Sequence, residues 1–148
     1  MDYMKKALEL AEFAEKEGEI PVGCVIVCDN KIIAEGYNKR EKYKNALYHA
    51  EIEAIDKACR YLKSWRLDRC DLYVTMEPCP MCAGAILNSR IRRVYFGCFD
   101  EKMGCCESKE NFFRGQFGYS TEVYGGFYED ECKNILNRFF KNIRKKDI

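Results

Sequence analysis

Apolar and polar positions along this chain follow two different periods, and the switches between them mark out the elements. Over residues 2 to 17, Ala7, Leu8, Leu10, Ala11 and Ala14 gather on one side of a 3.6-residue period and Gly18 follows, which predicts an amphipathic helix ending there. Two short runs, VGCVIVCD (22–29) and KIIAEGY (31–37), flank Asn30 and predict a tight β-hairpin. Residues 49 to 62 return to the helical period through Ala50, Ala54, Ile55, Ala58, Cys59 and Leu62. DLYVT (71–75) is almost wholly apolar, as expected of a strand covered on both faces. A short helix from Pro80 to Asn88 and a strand at 92–97 come next. An irregular, glycine-bearing segment over 98–120, with one short helix near Asn111, precedes a short strand at 121–126 and a last helix from about Glu129 to Ile143. Helix, hairpin, then alternating helix and strand imply an α/β protein: one mixed sheet covered by helices on both sides.

Composition narrows the class. The 148 residues are the length of one ordinary domain, so residues 1–148 are expected to form a single unit. A domain of that size buries roughly 68–70% of its unfolded surface and needs no disulfide staple. The first 19 residues carry a charge every few positions, which predicts neither a signal peptide nor a membrane span, and hence a cytoplasmic protein with no membrane partner. Of ten cysteines, Cys24, Cys28, Cys70 and Cys98 sit in apparent strands and Cys59 and Cys132 in helical patterns, where a reduced cysteine serves as a small core hydrophobe. Cys105 and Cys106 adjoin one another in a glycine-containing loop, as incidental thiols or as a second metal or redox feature. The net charge of +1 does not demand a nucleic-acid partner. Two basic clusters, Arg90 with Arg92 and Arg93, and Lys141 with Arg144, Lys145 and Lys146, suit either the C-terminal end of a helix dipole or a phosphate-contacting patch.

Only Cys79 and Cys82 have metal-ligand spacing. Pro78-Cys79-Pro80-Met81-Cys82 follows a buried strand and opens a helix, so both sulfurs reach one side of its first turn, where the dipole favours thiolate. Alone, C-x-x-C is ambiguous between a redox pair, half of a structural zinc site and a catalytic one. His49, the one histidine, resolves much of this: it begins a helix as His49-Ala50-Glu51, and no second C-x-x-C exists to close a structural site. H-x-E followed by P-C-x-x-C is the signature of the zinc deaminases. An imidazole and two thiolates leave the fourth tetrahedral position of Zn2+ open to water, whose pKa falls toward about 7, so that hydroxide is supplied at neutral pH. Glu51 is not needed as a ligand and is placed to act as the proton shuttle; the simpler account of it is a first-turn carboxylate favouring the dipole.

Nearly the whole chain resembles the bacterial tRNA-specific adenosine deaminases of the cytidine/deoxycytidylate deaminase superfamily. The shared residues are Glu19-Ile20-Pro21-Val22-Gly23, Asn38, His49-Ala50-Glu51, Ser64-Trp65-Arg66-Leu67, Leu72 through Ile86, Ser89-Arg90-Ile91, Phe96-Gly97, Asp100, Gly104, Ser108 and Phe139-Phe140. The resemblance implies a three-layer α/β/α cytidine-deaminase-like fold with a five-stranded mixed sheet, and a homodimer whose interface shapes the active site. It implies deamination of adenosine to inosine at the tRNA wobble position, on an anticodon stem-loop. It also implies that Asn38 hydrogen-bonds the flipped base, that the backbone near Ala50 and Glu77 positions it, that Asp100 approaches the nucleotide and that Phe140 approaches the stem-loop. Without it, Asn38 reads equally well as turn chemistry after a strand. Two departures fall where the family holds substrate: Asn45-Ala46-Leu47-Tyr48 in place of Asp-Pro-Thr-Ala, and Gly118-Tyr119 in place of Asn-His. They keep a free nucleobase or nucleoside (guanine, cytosine or adenosine) as a second expected substrate. A non-catalytic redox or structural metal protein is the third reading.

Overall fold

In the computed structural model, which describes residues 1–146, the Asp2 carboxylate accepts the Lys5 backbone N–H and starts helix α1 (Tyr3–Lys16). Gly18, in the left-handed region at φ 80, carries the chain out of that helix. The buried stripe is Met4, Ala7, Leu10, Ala11 and Ala14, so Met4 joins the expected face. Strands β1 (Gly23–Cys28) and β2 (Lys31–Tyr37) form the expected hairpin. Its two turn residues, Asp29 and Asn30, both have positive φ (52 and 62), the type I′ geometry that matches strand twist.

Helix α2 (Ala50–Leu62), strand β3 (Cys70–Met76), helix α3 (Pro80–Asn88) and strands β4 (Arg93–Cys98) and β5 (Glu122–Tyr124) follow, then helix α4 (Glu129–Lys146). The sheet is five-stranded in the order β2-β1-β3-β4-β5. β1 runs antiparallel to both neighbours, while β3, β4 and β5 are parallel. On one face, Ile26, Leu72, Val74 and Phe96 pack with Ala54 of α2 and Ile86 of α3. On the other, Leu10 of α1 covers Val25 and Val27, and Cys132 and Leu136 of α4 cover Cys98. This is the expected three-layer α/β/α arrangement, with β3 covered on both sides.

Small residues set how closely the helices approach. A Cβ on Gly36 of β2 would lie 2.4 Å from the Ala50 carbonyl oxygen, so only glycine lets the start of α2 sit that close to the sheet. As a result, the N-termini of α2 and α3 and the carboxyl ends of β3 and β4 converge at one edge, the place where open α/β sheets bind ligands.

Two expectations change. The short helix near Asn111 does not form: the Asn111 side chain accepts the Phe113 N–H at 2.8 Å and its carbonyl accepts from Gln116 Nε2 at 2.6 Å, local bonds that compete with helix geometry. The segment instead makes one isolated bridge, Arg114 to Ser120. The last helix continues to Lys146 rather than ending at Ile143. Among the described residues no helix is long and apolar enough to cross a membrane.

Candidate active site

The N-cap positions of α2 and α3, usually held by small hydroxyl or carboxamide residues, are His49 and Cys79, and neither side chain caps its own helix. Both turn toward each other instead. His49 Nδ1 lies 3.6 Å from Cys79 Sγ and 3.6 Å from Cys82 Sγ. Tetrahedral zinc with Zn–N of about 2.0–2.1 Å and Zn–S of about 2.3 Å requires an N···S separation of about 3.6 Å. The three donor atoms therefore fit Zn2+ as they stand, with one position left over; among the described residues no other three such donors come together this way. As the expected start at Pro80 requires, Cys79 caps α3 and Cys82 lies within its first turn.

The electrostatics follow from this crowding. The Cys82 thiol donates to Cys79 and, with help from His49 and against the effect of burial, holds the Cys79 thiol down to about 4. The same bond, and then burial, push Cys82 far up, while the hydrogen bond to Cys79 raises His49. Glu51 is 4% exposed; burial first, and then the negative charge at Cys79, push it up to about 7. A carboxyl in that range can both take and release a proton near neutral pH.

His49, Glu51 and Cys79 border a cavity of about 330 Å³, and Asn38, Ala50, Glu77, Asp100 and Phe140 line the same cavity. The structure therefore brings together every residue expected at the site, with Cys82 behind the wall at 0% exposure. Asn38 combines both of its readings. Its Oδ1 accepts the Arg40 N–H in a turn and its Nδ2 donates to the Ile20 carbonyl, which fixes the amide while it faces the cavity. The Glu77 side chain turns away from substrate-binding duty and toward the loop over 100–108. Burial works against its charge, but the Ser108 hydroxyl and the backbone N–H groups of Ser108, Asp100 and Glu107 outweigh that and hold the carboxyl below its ordinary value.

The motifs do not reveal Arg40, Met103 and Leu136, which also line the cavity. A local signal existed for Met103: Asp100 Oδ1 accepts the N–H of Lys102 and of Met103, the side-chain turn an aspartate commonly makes two and three residues on. Glu19, shared with the family but given no role, is buried and accepts the Glu41 and Lys42 N–H groups, steadying the stretch that carries Asn38 and Arg40.

The first basic cluster lies at and just beyond the far end of α3. Arg90 donates to the Leu87 and Asn88 carbonyls, and Arg92 and Arg93 both pair with Asp71. Arg90 thus fits the helix-terminus reading, whereas Arg92 and Arg93 are engaged by a carboxylate of β3. Tyr119 stacks on Arg90, whose guanidinium lies 3.3 Å from the ring centre. The Gly118-Tyr119 departure therefore sits at the far end of α3 from Cys79, not in the cavity of its own chain; the packing of Arg90 decides this. Lys141, Arg144 and Lys145 are exposed along the end of α4, and the Lys146 side chain lies outside the described residues. Cys105 and Cys106 are buried thiols beneath the loop.

Residues 1–98 match the cytidine and deoxycytidylate deaminase zinc-binding region. The chain is 46% identical to the tRNA-specific adenosine deaminase of Bacillus subtilis (strain 168) over 145 residues, 97% of this chain and 90% of that protein. Its structure is similar to one solved in a study of A-to-I editing by tRNA:A34 deaminases at the wobble position, with a TM-score of 0.87 and 42% identity over 90% of this chain and 98% of that one. It is also similar to a guanine deaminase from Bacillus subtilis, with a TM-score of 0.64 and 34% identity over 77% of this chain and 85% of that one.

Proposed function

The chain belongs to the cytidine and deoxycytidylate deaminases, and among them to the tRNA-specific adenosine deaminases; from that membership we propose that it is a zinc enzyme that hydrolyses adenosine to inosine and ammonia at the wobble position of tRNA. The observation that carries this is the cavity itself: buried Glu51 and the His49, Cys79 and Cys82 donors meet at one wall of a space large enough for a base.

Bound Zn2+ supplies Lewis acidity that lowers the pKa of a coordinated water toward about 7. The chain's own groups do the rest. Glu51 takes a proton from the attacking water and delivers it to N1 of the adenine ring. The water oxygen bonds to C6, and its remaining proton passes through the same carboxylate to the amino group, so that the C–N bond breaks, ammonia leaves and C6 keeps the oxygen as the carbonyl of inosine. The Asn38 amide and the backbone at Ala50 orient the base, and Asp100 and Phe140 hold the flanking nucleotides. Extruding the base from its stack costs least in a single-stranded loop, which suits an anticodon stem-loop. We further propose that the enzyme works as a cytoplasmic homodimer whose interface helps shape the cavity, which sedimentation of the zinc-loaded protein tests.

Incubating the zinc-loaded protein with cognate tRNA, its anticodon stem-loop, single-stranded DNA and a panel of free bases and nucleosides tests the substrate. Inosine should form in the tRNA and stem-loop. Ammonia released only from a free base would move the assignment to the second reading, a nucleobase deaminase. That reading draws on the guanine deaminase similarity and on Tyr48 standing directly before His49, but its identity and coverage are lower.

A further inference from the structure

One carboxylate in this chain has more hydrogen-bond partners than any packing role requires. Glu77, 3% exposed and two residues before the metal donor Cys79, receives five hydrogen bonds from a single loop. Its Oε1 accepts the Asp100 N–H at 3.0 Å and the Ser108 hydroxyl. Its Oε2 accepts three successive N–H groups, those of Cys106 (3.1 Å), Glu107 (2.7 Å) and Ser108 (2.9 Å). The carboxylate thus ties together both ends of the loop over 100–108, the loop whose Asp100 and Met103 face the cavity. Two backbone bonds fasten the same place: Glu77 N–H to the Cys98 carbonyl and Cys105 N–H to the Pro78 carbonyl, both 2.9 Å. Gly104 is the residue that permits so close an approach, since a Cβ there would lie 2.3 Å from the Glu77 carboxyl carbon.

We propose that Glu77 is a positioning residue: its carboxylate suspends the 100–108 loop beside the metal donors and thereby sets how tightly the cavity holds its substrate. Only glutamate suits the place. All five partners are donors, so the centre must be an acceptor alone. Glutamine turns an NH2 toward N–H groups whichever way it flips, and aspartate is one methylene too short to meet both ends. The loop is anchored to the segment that carries Cys79 rather than to the sheet, so the metal donors and the loop's Asp100 and Met103 keep one spacing. The proposal rests on the cavity being the substrate site.

The test uses zinc-loaded Glu77→Gln. Zinc content should stay at the wild-type level while the amides of Asp100, Cys106, Glu107 and Ser108 exchange at least about 10-fold faster. With the stem-loop, KM should rise at least about 10-fold and kcat fall by less than about threefold, the mark of lost binding rather than lost chemistry. Unchanged exchange at those amides overturns the proposal. So does a fall in kcat with KM unmoved, since that reports only a smaller folded fraction. Gly104→Ala attacks the same contact from the loop side and should reproduce both readouts, adding little in the double variant. Ser108→Ala should move KM in the same direction by a few-fold, so a Glu77→Gln protein that fails to fold does not end the test. If the wild-type enzyme leaves the stem-loop untouched, the functional reading fails, and amide exchange alone then decides for or against the anchor.

Discussion

The two ends of α3 carry charged or ionisable groups at similar density but put them to opposite uses. At the N-terminal end, His49, Cys79 and Cys82 have one another as partners and little else, and Glu51 is buried beside them at the cavity wall. At the C-terminal end every arginine is already engaged: Arg90 with two helix carbonyls and the Tyr119 ring, Arg92 and Arg93 with Asp71. The sequence shows clusters at both ends. What separates the two ends is the kind of partner the fold supplies: at one, three donor atoms gathered so that they can hold a single cation, and at the other, carbonyls, a carboxylate and an aromatic ring that already engage each positive charge.

The largest effect is expected at the reactive end. Glu51→Gln keeps the shape and removes the proton carrier, so turnover should drop at least about 10²-fold with zinc content intact, as measured by stem-loop deamination and metal analysis. A Glu51→Gln enzyme of normal activity would leave the site with no more chemistry than the arginine end. Next, Cys82→Ser should abolish stoichiometric zinc and activity together, and a chelator should do the same to the wild type until Zn2+ is restored. Thermal unfolding should then fall to the metal-free midpoint in both cases, because a ligand that binds only the folded state stabilises it.

Smaller effects should appear at the other end. Arg90→Ala should cost about 1 kcal/mol in denaturant unfolding, through lost bonds to the α3 carbonyls, and leave kcat within about twofold. Replacing Arg92 or Arg93 by Ala should not change the salt dependence of stem-loop binding. A slope that falls by about 1 for either would return that residue to a phosphate contact and blur the contrast between the ends. A further small effect concerns neither end. Arg138 donates both NH2 and Nε to Glu15, tying α4 to α1, and holds the Glu15 carboxyl below its ordinary value. Because the folded state lowers that value, the bond's contribution is complete above the ordinary carboxylate range and disappears as pH falls through the folded one. Arg138→Ala should therefore cost about 0.5–1 kcal/mol at pH 7, and the gap to wild type should close on acidification.

Much of this was legible from residue order. The hairpin was, because two apolar runs that flank Asn30 leave room for little but a tight turn, though the turn takes in Asp29 as well, and the central strand was, because its apolar run needs cover on both faces. The metal donors were legible because ligand spacing on a helix start is a local property. Asn111 misled because its side chain competes with the helix it seems to begin. The place of Tyr119 was not legible, because stacking on Arg90, a contact between distant parts of the chain, sets it.

By itself the amino-acid sequence determined the α/β alternation, the three metal donors and the carboxylate beside them, since periodicity and short spacings are set by backbone geometry within one element. Only the tertiary structure decided that Arg90 meets the α3 carbonyls while Arg92 and Arg93 meet Asp71, that Asn38 is locked by Ile20 and Arg40, and that Glu77 holds a loop some thirty residues away. Those facts depend on which groups meet across the sheet and its loops, and long-range pairing of donors with acceptors is decided by packing the whole chain at once.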